Sequence, residues 1–268
     1  MPVHLSVLVQ TPAHSGIGGP LTYLSEEALA LGTLVRAPLG QRELLGIVWP
    51  PPPDTAEQTN PGKPVRLRNI AGVLAGLQPL KPSWQTLVRF TASYYQRSEG
   101  EVALAALPPS LRELSPVQLT RRLQRKAGST KGKAKSIDTS HIHMPVPEAL
   151  GTPPQGLALT TEQEVVLGQI EQQKGPFLLF GSTGSGKTEV YLQAVQRLLQ
   201  SEPTAQALVM VPEINLTPQL EQRFRQRFEP WLGPGCVVSM HSAMTPAQRL
   251  ASWLSAHSGQ ARMVLGTR

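Results

Sequence analysis

The sequence is poor in several features that would place it in a familiar class. It has one cysteine, Cys236, so these residues can form neither a disulfide framework nor a cysteine-rich zinc site. No Lys or Arg precedes Arg36 and the first apolar run is broken at Pro12, which does not fit a secretory signal. No uninterrupted apolar stretch is long enough to span a bilayer. We therefore expect a cytoplasmic protein, with Cys236 as a buried structural thiol because it lies in an apolar run.

Positive charge, by contrast, is in excess: the formal net charge is +7 and the isoelectric point is near 9.9. That balance favours a polyanionic partner, nucleic acid before membrane, although it says nothing about the fold. Hydrophobic residues make up 40% and charged residues 16%, a soluble globular composition, and the 26 prolines indicate linkers. The length of 268 residues allows one large domain or two ordinary ones.

The strongest signal is a glycine-rich stretch in the second half of the chain. An apolar run, 177–180, leads into residues 181–188, which match G-x-x-x-x-G-K-[ST], and a helical pattern follows directly. A chance match is the alternative, but a strand before the motif and a helix after it favour a phosphate-binding loop. Its backbone amides would bind phosphate oxygens. Lys187 would reach the β- and γ-phosphates of a nucleotide, and the Thr188 hydroxyl would ligate Mg²⁺.

The first 109 residues predict a small β-rich domain. Strand-like runs separated by turn residues cover residues 3–9, 21–24, 33–37 and 44–49. A helix is predicted over residues 83–96. Its apolar side would carry Trp84, Leu87, Val88 and Tyr95.

Residues 110–156 have a different composition. A helix is predicted over residues 116–126, and a stretch rich in lysine, glycine and proline follows it. We interpret this stretch as a solvated, flexible linker, because lysines among glycines cannot form a core; a tether that contacts the DNA backbone is compatible with that. His141 and His143 are interpreted as linker residues rather than metal ligands, because no further ligand cluster accompanies them.

From residue 157 onward, strand-like and helical patterns alternate. The strand-like runs are 177–180, 207–211, 236–240 and 262–266. A capping box over residues 161–164 precedes the first helix. Apolar residues recur every fourth position at Leu216, Leu220, Phe224 and Phe228, the stripe of an amphipathic helix. This alternation predicts a parallel sheet with helices on both faces, and with the phosphate loop after the first strand it indicates a RecA-like α/β fold.

Polar residues follow the predicted strands at the carboxyl edge of the sheet, where ligands bind in such folds. Thr217 would hold a DNA phosphate or start the next helix, and Thr267 and Arg268 are further candidate DNA contacts. Gln163 lies upstream of the loop, where its amide would pair with the adenine edge or be an ordinary surface glutamine. The predicted nucleotide-binding residues are Gln163, Gly181, Ser182, Thr183, Gly184, Ser185, Gly186, Lys187 and Thr188.

Four segments together resemble the primosomal protein N′ (PriA) family of replication-restart helicases. They are Gly-Ser-Thr-Gly-Ser-Gly-Lys-Thr-Glu-Val-Tyr, Met-Val-Pro-Glu-Ile-Asn-Leu-Thr-Pro-Gln, Met-His-Ser and Val-Leu-Gly-Thr-Arg, in this order and spacing. Residues 22–24, 35–40 and 45–48 resemble the family's 3′-end-binding domain. The expected organisation is therefore a DNA-end-binding domain over residues 1–109, a basic linker over 110–156, and an incomplete first RecA-like lobe over 157–268.

The resemblance implies an ATP-dependent superfamily 2 DNA helicase that binds stalled forks, unwinds DNA with 3′→5′ polarity and recruits the primosome. The implied cofactors are ATP and Mg²⁺. The implied partners are forked and single-stranded DNA, 3′ ends, primosome proteins and the single-stranded DNA-binding protein. Tyr23 and Gly40 match the family's pocket for the terminal nucleotide, where Tyr23 would stack on a base or be an ordinary core aromatic. Thr22 stands where the family usually has an acidic residue.

The sequence also departs from the family's pattern. The interval that holds a winged-helix domain in the family is short here, so we expect that domain to be reduced or absent. The family's Asp-Glu box, second RecA-like lobe and zinc-binding region would lie beyond Arg268. Since that box would hold Mg²⁺ and orient the attacking water, we expect these residues alone to bind ATP weakly and not to hydrolyse it usefully. The alternative function is a binding module for DNA or partner proteins without motor activity.

Overall fold

The computed structural model describes residues 2–11, 19–51, 66–127, 151–153, 158–182, 184–212 and 218–267, with the side chains of residues 124–127 excepted. The chain divides into two compact units, Met1–His143 and Met144–Arg268, which are called here the first and second unit. Within the described ranges, no helix combines the length and the apolar character that crossing a membrane would require.

The first unit is built on a five-stranded antiparallel sheet. Its strands are β1 (Val3–Val9), β2 (Leu21–Ser25), β3 (Leu34–Leu39), β4 (Arg42–Val48) and β5 (Gly72–Val73), in the spatial order β2-β1-β4-β3-β5. The four longer strands confirm the predicted runs. Alternate residues along them point to one face, which buries Leu5, Val7, Val9, Tyr23, Val35, Ala37 and Val48 as a core.

Four helices complete the first unit: α1 (Pro82–Tyr95), α2 (Glu99–Ala105), α3 (Pro109–Glu113) and α4 (Pro116–Ala127). The sequence predicted α1 and α4 but not the short α2 and α3. The predicted apolar side of α1 is wrong in part, because Leu87 and Tyr95 are 59% and 66% exposed. The helix instead buries Gln85, Val88 and Ala92, and the Gln85 amide donates to the carbonyl of Leu80 at 3.1 Å.

The beginning of the predicted linker is folded. Leu111, Leu114 and Leu119 are buried. The Arg36 guanidinium, 5% exposed on β3, donates hydrogen bonds to the carbonyls of Arg112 and Leu114, so it ties the sheet to the end of α3. Residues up to 127 are therefore part of the folded first unit and not of a flexible linker. Residues 128–150, with the predicted lysine-rich stretch, lie outside the described residues.

The second unit alternates helices and parallel strands. Its elements are α5 (Thr161–Gln172), α6 (Lys187–Ser201), β6 (Ala207–Met210), α7 (Pro218–Leu232), β7 (Val237–Met240), α8 (Pro246–His257) and β8 (Met263–Gly266). The strand order is β6-β8-β7, with Met210 and Met240 both in register with Gly266. The carboxyl ends of the three strands therefore meet at one edge, as in a RecA-like fold. Phe224 and Phe228 of the predicted stripe are fully buried.

Two predictions for the second unit need correction. Residues 177–180 form no strand, and Leu178 and Phe180 are each 91% exposed. A strand exists only through hydrogen bonds to a neighbouring strand, and none of the three described strands pairs with this segment. The capping box begins one residue earlier than predicted, since Thr160 is the N-cap of α5 and Gln163 is its reciprocal partner.

Candidate functional site

The glycine-rich loop turns directly into α6. Gly184 and Gly186 have φ angles of 86° and 80°, which side-chain-bearing residues rarely adopt, and Gly186 is the N-cap of the helix. The first amides of a helix have no acceptor within the helix, so they are available to an anion at its N-terminus. The local sequence thus forms a tight turn that leads into a helix N-terminus, and phosphate binding there stays a prediction. Thr183, one of the predicted loop residues, lies outside the described residues.

The Lys187 side chain is held over this loop by two carbonyl groups of the loop itself. Its Nζ donates hydrogen bonds to the carbonyl oxygens of Gly181 and Ser182, both at 2.7 Å. The ammonium group is therefore confined to the concave side of the loop. Phosphate oxygens are stronger acceptors for an ammonium than neutral carbonyls, so an anionic group at the loop would compete with these carbonyls for Lys187.

A cavity of about 790 Å³ lies beside the loop. Its walls come from the start of α6 and from the middle of α7, through Gly184, Gly186, Lys187, Thr188, Glu189, Leu192, Arg223, Gln226 and Arg227. The volume is within the range of small-molecule sites. Within the described parts of the chain, no group of three or more His, Cys, Asp or Glu side chains could hold a metal ion by itself. The Thr188 hydroxyl, half-buried in this cavity, fits the one protein ligand that Mg²⁺ takes from a phosphate loop.

Gln163 packs against the loop from α5. Its Oε1 accepts a hydrogen bond from the Thr160 amide at 3.0 Å, and its Nε2 donates one to the Ser185 carbonyl at 3.4 Å. A Cβ at Gly186 would lie 2.2 Å from that Nε2, so the side chain fills the space under the turn. Both ends of the amide are thus engaged with the protein, and a contact with adenine stays a prediction.

An ion pair that sequence reasoning missed joins the loop helix to α7. Arg227 Nη1 lies 2.7 Å from Glu189 Oε1, with side chains 13% and 14% exposed. Gln193 donates to the same carboxylate at 3.0 Å, and Arg227 also donates to Gln196 Oε1 at 3.1 and 3.2 Å. Glu189 directly follows Thr188, so α7 is anchored to the first turn behind the loop. The polar face of α6 at positions 189, 193 and 196 was the signal in the sequence that could have found it.

The carboxyl edge of the sheet carries one further predicted site residue among those described. Thr267 follows β8, and its amide donates to the Met240 carbonyl at the end of β7 at 3.3 Å. His241 comes next after β7, so these two residues lie at the same edge. Thr217 and Arg268, the other candidate DNA contacts of this unit, lie outside the described residues.

Below that edge, a cavity of about 480 Å³ is lined by Glu221, Ser239 and His241, among others. Burial pushes the pKa of Glu221 up. Hydrogen bonds from Ser239 Oγ, at 2.7 Å, and from Arg225 outweigh burial and leave the pKa below its ordinary value. This carboxylate is therefore ionised and structurally engaged at neutral pH.

In the first unit, the predicted DNA-end residues cluster at the tip of the β3–β4 hairpin. Tyr23 is 4% exposed and its hydroxyl donates to the Pro38 carbonyl at 3.2 Å. Burial raises the pKa of this phenol, while the nearby Arg68 acts in the opposite direction. The ring is thus a core residue that offers no free face to a base, and the stacking interpretation is not supported.

Arg68 is a cation that sequence reasoning missed. It is exposed, and its Nη1 donates to the Gly40 carbonyl at 2.7 Å, so it stands beside the exposed Gly40 and close to Tyr23. Thr22, next to Tyr23 on β2, is exposed as well. The hairpin tip therefore combines the exposed backbone of Gly40 with the guanidinium of Arg68. Arg68 reaches the hairpin tip only through the fold. The proline-rich segment that precedes Arg68 gives no sequence signal for this contact.

Comparison with known families accounts for both units. Residues 6–108 match the PriA family described as 3′DNA-binding domain (3′BD), and residues 160–268 match the family described as DEAD/DEAH box helicase. Among curated proteins, the replication restart protein PriA of Haemophilus influenzae is 45% identical over 114 residues, which are 42% of this chain and 15% of that protein. PriA of Bacillus subtilis is 38% identical over 117 residues, 42% of this chain and 14% of that protein.

PriA of Rickettsia felis is 28% identical over 257 residues, 93% of this chain and 32% of that protein. The chain thus spans no more than about a third of the length of these relatives. Its two matched domains follow one another within a single alignment to such a relative, which confirms the resemblance seen in the sequence. The chain is therefore similar to the replication restart protein PriA, with a match to its 3′ DNA-binding domain over residues 6–108 followed by a match to the DEAD/DEAH box helicase family over residues 160–268.

Proposed function

We propose that this chain supplies the DNA-end-binding and ATP-binding parts of a 3′→5′ DNA helicase that acts at stalled replication forks and starts primosome assembly. The observation that carries the proposal is the loop at 181–188. Two glycines with positive φ lead into the N-terminus of α6, and Lys187 and Thr188 line one cavity beside them. This is the arrangement that binds a nucleoside triphosphate with Mg²⁺.

In this site the loop amides and Lys187 would neutralise the triphosphate, and the Thr188 hydroxyl would ligate Mg²⁺. Lys187 would exchange the carbonyls of Gly181 and Ser182 for phosphate oxygens. Mg²⁺, when bound, would supply positive charge that offsets the charge of the triphosphate. We assign Gln163 the role of supporting the turn at Ser185 and Gly186, through the hydrogen bond described above.

We further propose that these 268 residues bind ATP without useful turnover. A catalytic carboxylate must be free to orient the attacking water. Glu189, the acidic residue nearest the loop, is ion-paired with Arg227, and Glu221 is engaged by Ser239 and Arg225. Steady-state phosphate release, measured with and without single-stranded DNA, should therefore stay at the level of Lys187→Ala.

Nucleotide binding is tested by titrating the full chain into a fluorescent ATP analogue with Mg²⁺. We expect saturable binding that Lys187→Ala abolishes. Lys174→Gln is the matched control, because Lys174 is an exposed lysine outside the cavity of the same unit. Equal affinities for the unchanged chain and Lys187→Ala would refute the nucleotide site.

For the first unit, we propose that Gly40 and Arg68 receive the terminal nucleotide of a DNA 3′ end, with Tyr23 supporting the hairpin from the core. At the edge of the second unit, Thr217, Thr267 and Arg268 would contact the DNA backbone. The exposed guanidinium of Arg68 would meet a phosphate, and the open backbone at Gly40 would admit the sugar. The proposed cellular setting is the cytoplasm, with primosome proteins and single-stranded DNA-binding protein as partners.

End recognition is tested with single-stranded oligonucleotides that end in a 3′-hydroxyl or a 3′-phosphate. We expect a preference for the free hydroxyl, and a loss of about tenfold in affinity for Arg68→Gln, as for one charge-assisted phosphate contact. Arg66→Gln removes an equally exposed arginine two positions away and should change affinity much less. If the two substitutions weaken DNA binding equally, the arginines attract DNA through their general positive charge and Arg68 does not belong to a defined binding site.

A further inference from the structure

The three arginines of α7 differ in how they are neutralised. Arg225 is ion-paired with Glu221 and Glu229 at 2.7 and 2.8 Å, and Arg227 is ion-paired with Glu189. Arg223 is exposed and has neither a hydrogen bond nor an ion pair with any residue that the structure describes. Arg223 is therefore the arginine of α7 whose charge no described residue neutralises.

Arg223 lies on a wall of the cavity that contains Lys187 and Thr188. It is four residues before Arg227, so both project from the same face of α7. Arg227 meets Glu189 in the first turn of α6. Gly184 and Gly186 line the same cavity, so Arg223 and the loop border one space.

We propose that Arg223 binds the terminal phosphate of the nucleoside triphosphate, and so makes this site distinguish ATP from ADP. The inference rests on the proposed nucleotide binding at the loop. The loop amides and the helix N-terminus act on the α- and β-phosphates, and Lys187 reaches the β- and γ-phosphates from the loop, which leaves the side of the γ-phosphate that faces away from the loop open to a further cation. A guanidinium on the opposite wall meets that phosphate with two parallel N–H groups, a geometry that suits phosphate oxygens.

The charges around the cavity support this role of Arg223. The Glu189 carboxylate, the anionic group on the wall, is already compensated by Arg227. Lys187 and Arg223 then remain as two cations that line the same cavity. ATP carries one phosphate more than ADP, and we assign that phosphate to the second cation.

The test compares Mg²⁺-ATP and Mg²⁺-ADP affinities of the full chain, measured with the same fluorescent analogues, for Arg223→Gln and Arg223→Lys. We expect Arg223→Gln to weaken ATP binding by about tenfold and ADP binding by less than about twofold, as for one charge-assisted hydrogen-bonded contact. Arg223→Lys should recover part of the ATP affinity because it restores the charge. Lys174→Gln is the control for loss of one positive charge in the same unit, and it should leave the ATP-to-ADP ratio unchanged.

The outcomes separate this inference from the proposed function. If the unchanged chain binds ATP in a Lys187-dependent way and Arg223→Gln does the same with equal affinity, the nucleotide site stands and the role of Arg223 is refuted. A loss of DNA affinity with ATP affinity unchanged would assign Arg223 to the DNA backbone and refute it as well. Equal losses for ATP and ADP together with a lower melting temperature would show a structural role. If no Lys187-dependent binding exists, both proposals fail.

Discussion

Removing the Arg227 guanidinium should loosen the contact between α6 and α7, because Glu189 would stay largely buried without its counter-charge. In Arg227→Met the aliphatic stem of the side chain is kept while all three donors to its partners are lost. Of its contacts with residues that the structure describes, the Glu189 carboxylate would retain the hydrogen bond from Gln193, and Gln196 Oε1 would lose two donors. The substitution therefore isolates the polar contribution of the pair.

The burial of the pair sets the size of the effect. An exposed ion pair contributes about 0–1 kcal/mol, whereas removal of one partner from a buried pair costs about 3–5 kcal/mol. With both side chains less than 15% exposed, this pair lies near the buried limit. We expect Arg227→Met to cost about 2–4 kcal/mol. Arg197→Met is the control, because its pair with Glu171 has nearly the same length, 2.8 Å, but is 40% and 45% exposed, and it should cost under about 1 kcal/mol.

Hydrogen exchange followed by mass spectrometry of the full chain reports the opening free energy of α6 and α7 directly. The single variants, Glu189→Gln and the double variant give a coupling energy, which we expect to be about 1–3 kcal/mol. Nucleotide affinity should fall in parallel, since Glu189 adjoins Thr188. The reasoning is refuted if Arg227→Met and Arg197→Met lower protection equally, or if the effects at Glu189 and Arg227 add within about 0.5 kcal/mol.

Three further outcomes follow from buried polar groups. Arg36→Met should destabilise the first unit by about 1–3 kcal/mol in urea unfolding, because the buried carbonyl of Leu114 and the partly buried carbonyl of Arg112 lose their donor; an unchanged midpoint would contradict this. Burial, reinforced by the charge of Glu229, raises the pKa of the Cys236 thiol to about 12, so a thiol reagent at pH 8 should label it only after unfolding, and rapid labelling of the native chain would be inconsistent with that. The pKa of Glu221 is lowered in the folded state, so its contribution to stability is present above pH 4.5 and is lost as the pH falls through the lowered value. Ser239→Ala should therefore lower stability at pH 7 by about 1 kcal/mol, and the difference from the unchanged chain should shrink in acid; a pH-independent difference would argue against the Glu221 contact.

Local sequence was sufficient wherever neighbouring residues determine the conformation. The strands of the first unit follow from short apolar runs between turn residues, and the loop before α6 follows from glycines at Gly184 and Gly186 that accept positive φ. The parallel sheet of the second unit likewise follows from the alternation of strand and helix patterns. These features need no knowledge of distant contacts.

What the sequence missed depends on contacts that are distant along the chain. Residues 177–180 have the composition of a strand, but a strand also needs a partner, which composition does not supply. The buried side of α1 was misassigned because the packing selects Gln85 and Ala92 over larger side chains such as Leu87. Arg68 reaches Gly40 only because the fold brings them together, and no local pattern encodes such a contact.

The turn at Gly186 and the packing of Gln163 under it limit which residues these two positions can accept. A side chain at Gly186 would meet two separate obstacles, the positive φ of the turn and the Gln163 amide 2.2 Å away. Shortening Gln163 would remove the second obstacle but not the first, and it would also remove the reciprocal cap of α5. Gly186 is therefore fixed by the turn itself, because a change at Gln163 would not relieve the positive φ. Gln163 is constrained separately, since it caps α5 and donates to the Ser185 carbonyl, whether or not it ever touches a base.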